Sequence, residues 1–272
     1  MKNKHRLIAG FYMVWLFIFI LCPLGLICYF ALTNEQGNFT IDNLFIAGQY
    51  AAVLWRSIWL AIIATAITLL IAYPLAFKLS RYKPNLQKIL LMLFILPMWI
   101  NFLLRTYGWM TLLENNGIIN KFLSFLGLGP LQLINNKFAV VVGMVYNYLP
   151  FMILPLYSTM VKIDQITIQA AQDLGAGTWR TFTKIIFPLS LPGVSTGITM
   201  VFVPAISTFI ISKMLGGGAN FLIGDLIELQ FLGNAYNPHL GSAMALVLMT
   251  IILVCMSIMN QFDNEGKEDI LL

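Results

Sequence analysis

An all-α, polytopic membrane protein with six transmembrane helices is the fold class predicted by this 272-residue sequence. Hydrophobic residues make up 59% of the chain and charged residues only 10%. The mean hydropathy is +0.83, beyond what a water-soluble surface tolerates. Apolar runs long enough to cross a bilayer recur along the whole length, and a helix is the form in which a lone segment satisfies its own backbone in lipid.

Six spans are expected, at Leu7–Leu32, Ser57–Phe77, Ile89–Leu113, Phe138–Met160, Ser190–Ile211 and Leu240–Met259. The first follows Lys2, Lys4 and Arg6 as a signal sequence would, but it is longer than a signal core and no A-x-A site follows, so it reads as a retained anchor. The chain then divides into an anchor and outer loop (1–54), a membrane core (55–260) and a short tail (261–272). Cys22, Cys28 and Cys255 all fall inside spans and are expected to be packing residues. Cys22 and Cys28 are separated by about 9 Å of helix rise, too far for a disulfide.

Orientation follows from Lys and Arg, which concentrate on cytoplasmic flanks. The amino end, the second-to-third connector (Lys78, Arg81, Lys83, Lys88) and the fourth-to-fifth connector (Lys162, Arg180, Lys184) lie on one side. The other side mixes Arg56, Lys121, Lys137 and Lys213 with Glu35, Asp42, Glu114, Asp225 and Glu228. Both termini are therefore expected in the cytoplasm. The net charge of +5 comes from this asymmetry and calls for the lipid bilayer as partner, with no nucleic acid.

The connector from Val161 to Phe187 is too long for a tight turn. Asp164 can cap a helix over Gln165–Leu174, and Gly175 or Gly177 can end it in the left-handed conformation. Thr178 can cap a second helix carrying Trp179, Phe182 and Ile186 on one face. Pro188 and Pro192-Gly193 then bend the chain into the fifth span. A helix-turn-helix on the cytoplasmic face is expected, with Ala170 and Ala171 forming a small-residue patch on which a cleft can close.

This connector resembles the EAA loop of type I ABC importer permeases, E-A-A-x-x-x-G followed by I-x-L-P. Ala170, Ala171 and Gly175 match, as do Ile185 or Ile186 and Pro188, while Gln169 replaces the family's Glu. The resemblance implies a MetI-like transmembrane fold and a coupling helix that docks on a separate ATPase, with Gln169, Ala170, Ala171, Asp173, Gly175, Ile186 and Pro188 as coupling residues. Further phrases look like the polyamine (spermidine/putrescine) branch: Leu149-Pro150-Phe151-Met152, Pro155-Leu156-Tyr157-Ser158, Ala170 to Ala176, Gly216 to Asn220, Leu222-Ile223-Gly224 and Gln230-Phe231-Leu232.

That branch implies the bacterial cytoplasmic (inner) membrane and a second, homologous permease as pore heterodimer. It also implies two copies of an ABC ATPase holding ATP and Mg, and an extracytoplasmic polyamine-binding protein. An importer for another small solute, such as iron or thiamine, shares the loop motif. An ion-coupled carrier is a further alternative, but no acid lies deep in any of the six expected spans.

Within the chain no G-x-x-x-x-G-K-[ST] occurs, and Gly216-Gly217-Gly218 lacks the Lys that a phosphate loop needs. No bound cofactor, catalytic constellation or metal set is expected. His5 and His239, the two histidines, fall at opposite ends. A solute path is expected where spans are broken and polar, because lipid-facing positions cannot hold such groups cheaply. The candidates are Trp99, Asn101, Tyr107 and Trp109 near Pro97, and Tyr146, Asn147 and Tyr148 before Pro150. At the outer end, Asp225 and Glu228 would share a helix face and attract a dication. Aromatic faces attract ammonium groups by about 0.5–2 kcal/mol each, and also pack on methylene spacers. Arg105 is expected to pair with an acid such as Glu114.

Overall fold

The computed structural model describes residues 11–233 and 236–268, as backbone alone after residue 259. Five helices are long and apolar enough to span a membrane. They are α1 (Phe11–Ala31), α3 (Ala51–Ser80), α7 (Lys137–Met160), α9 (Thr178–Ile206) and the last, Pro238–Met259, the apolar part of α12 (Pro238–Glu268). Short helices link them: α2 (Asp42–Gly48), α6 (Ile118–Phe125), α8 (Gln165–Asp173), α10 (Ile210–Leu215) and α11 (Ile223–Leu232). Residues 7–10 of the expected first span, like His5, lie outside the described part.

The expected third span, Ile89–Leu113, is not one helix. It is α4 (Pro84–Ile95), a 3-10 turn over Leu96–Trp99, and α5 (Phe102–Leu113), and the chain bends by 90° at the break between Trp99 and Phe102. Pro97 supplies no N–H for a continuing helix, and Asn101 restarts one by accepting the Leu103 N–H at 2.8 Å. The six expected spans thus become five plus one bent pair. The fifth is also displaced, starting at Thr178 and ending at Ile206 rather than running over Ser190–Ile211. The last helix continues to Glu268, so the expected tail begins as helix.

Three helices make the core. α7 packs against α3 and α9, and it is the most enclosed of the spans. Its partner α3 offers a stripe of small residues, Ala61, Ala64, Ala72 and Ala76, all inaccessible. Small residues let helix backbones approach where lipid supplies no hydrophobic drive. Thr65 and Thr68 return their hydroxyls to Ala61 O and Ala64 O at 2.7 and 2.6 Å, so neither hydroxyl is orphaned. On α9, Gly193 and Gly197 abut Pro155 and Met152 of α7, and a Cβ at Gly193 would lie 2.9 Å from Pro155 O. By contrast α1 has no buried residue in its apolar window. It leans on α12, where the His239 ring meets Phe30 edge-on, and Cys22 is exposed rather than packed.

Candidate functional site: a coupling arm and a broken third span

At the basic end, the turn after α7 is pinned to α3 by Arg81, whose Nη1 donates to Ile163 O at 3.2 Å. Asp164 then caps α8, accepting the Ile166 N–H at 2.9 Å, as its position ahead of the helix predicts. Gly175 closes α8 with φ +84°. Its N–H reaches Gln172 O at 2.9 Å, and the Ala176 N–H reaches Ala171 O at 3.0 Å. These two bonds form the glycine-terminated end in which the last helical carbonyls are satisfied by the turn itself.

α8 has no buried residue. Gln169, Ala170 and Asp173 are exposed and Ala171 is half-covered. Ile166, Leu174 and Trp179 stand 70%, 90% and 76% exposed. This arm is an exposed surface of polar side chains with Ile166 and the small residues Ala170 and Ala171 among them, held out from the bundle, the shape a docking element requires.

The second helix of the expected helix-turn-helix does not exist as a separate element. From Thr178 the chain runs straight into α9 through a π-helical turn, Phe182–Ile186. Gly177, not Thr178, is the N-cap residue. The wider turn also breaks the expected common face: Trp179 is exposed and stacks on Phe182 at 5.9 Å, whereas Ile186 is buried. Pro188, one residue into the α-helical part, fits where its missing N–H costs little.

A contact that sequence reasoning missed ties the arm to α3. The Tyr73 ring meets Phe182 edge-on at 5.8 Å, and its hydroxyl lies 2.8 Å from Ser190 Oγ. Ser190 gives its own hydrogen to Phe187 O, so Tyr73 is the donor. The signal was present as a lone tyrosine beside Pro74 in an otherwise apolar span.

The candidate path residues fall into two groups. Trp99 (82% exposed), Asn101 and Tyr107 lie on the open side of the bent pair. Trp109 and Tyr146 are brought together across α5 and α7, ring centres 5.3 Å apart and nearly edge-to-face. Asn147 and Tyr148 sit deeper and are buried. Asn147 donates to Gly143 O at 2.9 Å, and its Oδ1 has no partner among the described residues. Tyr148 donates to Pro204 O at 3.2 Å, across the interface with α9. Arg105 is not paired with Glu114: its guanidinium lies over the Phe102 ring at 5.8 Å, and the ion pair found among the described residues is Lys213–Glu228.

Asp225 and Glu228 share α11, yet they do not form a free diacid face. Asp225 is 1% exposed, and its Oδ2 accepts the Leu222 N–H at 2.7 Å, capping its own helix. Burial pushes its pKa above the ordinary carboxylate range, opposed by that backbone bond and by Ser212. Glu228 is engaged by Lys213 at 3.0 Å. The start of α11 is also locked to α3, where Ser57 Oγ accepts the Ile223 N–H at 2.8 Å and Arg56 donates to Phe221 O. Gly217 turns this outer strap at φ +66°, with Asn135 where a side chain would be.

Residues 69–265 match the family described as "Binding-protein-dependent transport system inner membrane component". The chain is 39% identical to the spermidine/putrescine transport system permease protein PotB of Haemophilus influenzae, over 98% of both chains. It is 38% identical to PotB of Escherichia coli K12, over 88% of this chain and 90% of that one. Identity to the inner membrane ABC transporter permease protein YdcU of E. coli is 29%, over 83% and 75%. Among solved structures, a chain of a bacterial ABC transporter involved in alginate import matches with a TM-score of 0.77 at 18% identity, over 97% of this chain and 96% of that one. A second alginate transporter structure, in complex with a pentasaccharide-bound periplasmic protein, gives 0.79 at 17%, over the same shares. At such identities these two speak for the fold alone. With the family model covering most of the membrane core, the chain belongs to the inner membrane components of binding-protein-dependent transport systems.

Proposed function

We propose that this chain is one permease of an ATP-driven importer for polyamines, spermidine and putrescine, delivered by an extracytoplasmic binding protein. The observation that carries this reading is the 39% identity with a spermidine/putrescine permease, sustained over 98% of both chains. A PotC-like second permease completes the pore, two PotA-like ATPase subunits hold ATP and Mg, and a PotD-like receptor supplies the solute. Both termini face the cytoplasm, as the basic residues at the coupling end imply.

In this reading the ATPases grip α8 through Gln169, Ala170, Ala171 and Asp173, and the glycine end at Gly175 fixes the direction of the arm. Closure on ATP pushes the arm, and the push enters the bundle along α9 and through the Tyr73–Phe182 and Tyr73–Ser190 contacts. Access switches because α7 and α9 are packed too closely at Gly193 and Gly197 to deform separately. The solute passes the open side of the bent pair, where Trp99, Tyr107, Trp109 and Tyr146 offer ring faces to ammonium groups and methylenes. Glu228 meets the incoming cation at the outer end, in competition with Lys213, and Asp225 holds the helix on which Glu228 stands.

Uptake of radiolabelled spermidine into cells lacking their own polyamine importers, with the four-component system restored, tests the substrate. Uptake that unlabelled putrescine competes and thiamine does not is the expected result; uptake of neither polyamine removes the reading.

A further inference from the structure

Between the basic-end half of α3 and the entry of α9, behind the Tyr73–Phe182 contact, lies an apolar groove of about 420 Å³. Leu69, Tyr73, Pro74, Phe77, Phe182 and Phe187 wall it. The one polar group among them, the Tyr73 hydroxyl, is already given to Ser190. An apolar cavity of this kind does not hold ordered water. Its open side is continuous with the lipid-facing surface, where neighbouring Leu70 is 73% exposed.

Cations lie in the segments that wall the groove. Arg81 stands one turn beyond Phe77, its guanidinium over that ring at 5.3 Å. It is held there by Ile163 O, and its buried Nε and Nη2 have no acceptor among the described residues. Lys78, one turn beyond Pro74, and Lys184, three residues before Phe187, are both exposed. None of the three is in an ion pair among the described residues.

We infer that this groove seats one anionic phospholipid. Its acyl chain lies along the aromatic walls, and its phosphate faces Lys78, Arg81 and Lys184. Tail and head fit the two parts in the right order, apolar within the membrane and cationic at the cytoplasmic surface, the arrangement by which basic pockets between spans take anionic lipids. A phospholipid seated there backs Phe182, on which Trp179 of the coupling arm stacks. It thereby steadies the elbow between arm and bundle, which contains the π turn at Phe182–Ile186.

The test uses the assembled importer in nanodiscs of phosphatidylcholine doped with phosphatidylglycerol, with native mass spectrometry reading the lipids retained. Phosphatidylglycerol is expected to be retained over phosphatidylcholine. Lys78→Gln with Lys184→Gln should lower that retention roughly tenfold or more, since each basic residue near the surface contributes about a factor of five. Leu70→Trp, which fills the groove and leaves the cations, should lower it too. Equal retention of phosphatidylcholine, or wild-type retention in both variants, overturns the inference. So does failure of a lipid-soluble maleimide to label Leu70→Cys in the assembled importer, because the second permease would then cover the groove. Each readout is independent of polyamine transport, so its failure is distinct from failure of the functional reading.

Discussion

Gly175→Val isolates the coupling arm from the rest of the molecule. At φ +84° a β-branched residue is strained by about 1–2 kcal/mol or more. Steric contact adds nothing to this, because no atom lies within 4 Å of where the Cβ would be. Nor does packing oppose it, since α8 buries no residue against the bundle. The whole cost therefore falls on the two bonds that close the helix, Gly175 N–H to Gln172 O and Ala176 N–H to Ala171 O. At 1.4 kcal/mol per tenfold, the equilibrium ratio of correctly ended to misended arm falls by roughly 5- to 30-fold. ATP-dependent uptake in proteoliposomes should fall, by at most that factor, while membrane insertion and the thermal midpoint of the bundle stay at wild-type values. Gly175→Asn, which enters the left-handed region more readily, should keep most of the activity. Normal transport by Gly175→Val, or loss of the inserted protein, would refute the argument.

Other perturbations reach different layers. Gly193→Ala places a methyl 2.7 Å from Thr159 Oγ1 and 2.9 Å from Pro155 O; it should cost about 1–3 kcal/mol and lower the melting midpoint in detergent. Tyr73→Phe keeps the ring on Phe182 and loses the bond to Ser190, so about 1 kcal/mol of stability should go and ATP coupling should weaken in part; Tyr73→Ala, which removes both contacts, should uncouple ATPase activity from uptake. Asp225→Ala leaves the Leu222 N–H unpaired and should cost about 1–3 kcal/mol, with Asp225→Asn milder because its oxygen still accepts. Asp225 also sets a pH dependence. Its pKa is raised in the fold, so its contribution to stability is complete below the unfolded carboxyl pKa and is lost as pH rises through the folded value. Thermal midpoints across that window should therefore fall for wild type relative to Asp225→Asn, and parallel curves would count against the buried carboxyl.

The shape of the α8 arm was readable because its signals are local. Asp164 and Gly175 act within a turn of where they stand in the chain, and both do what those residue types predict. The break in the third span was half readable. Pro74, Pro150, Pro155 and Pro192 all stay inside helices, so Pro97 by itself decides nothing. Asn101, four residues on, makes the difference by capping a new start, and its role as a cap was overlooked for a role in the path. Asp225 was misplaced for a different reason: two acids three apart predict a shared helix face, but whether that face meets water or α10 is a matter of tertiary packing. The π turn escaped because one widened turn rotates Ile186 away from Trp179, a shift that an ideal helical period cannot foresee. The Tyr73–Ser190 contact joins residues 117 apart in the chain, and no pattern along it pairs them.

The central claim is that this chain conducts polyamines under the control of ATP bound elsewhere. The direct measurement is ATP hydrolysis by the permease pair and its ATPase in proteoliposomes, with receptor and a panel of spermidine, putrescine, thiamine and ferric iron. Stimulation by the two polyamines, lowered in Gly175→Val, is the result expected. Stimulation by thiamine or iron in their place would contradict the substrate, and hydrolysis indifferent to receptor and solute alike would contradict the coupling.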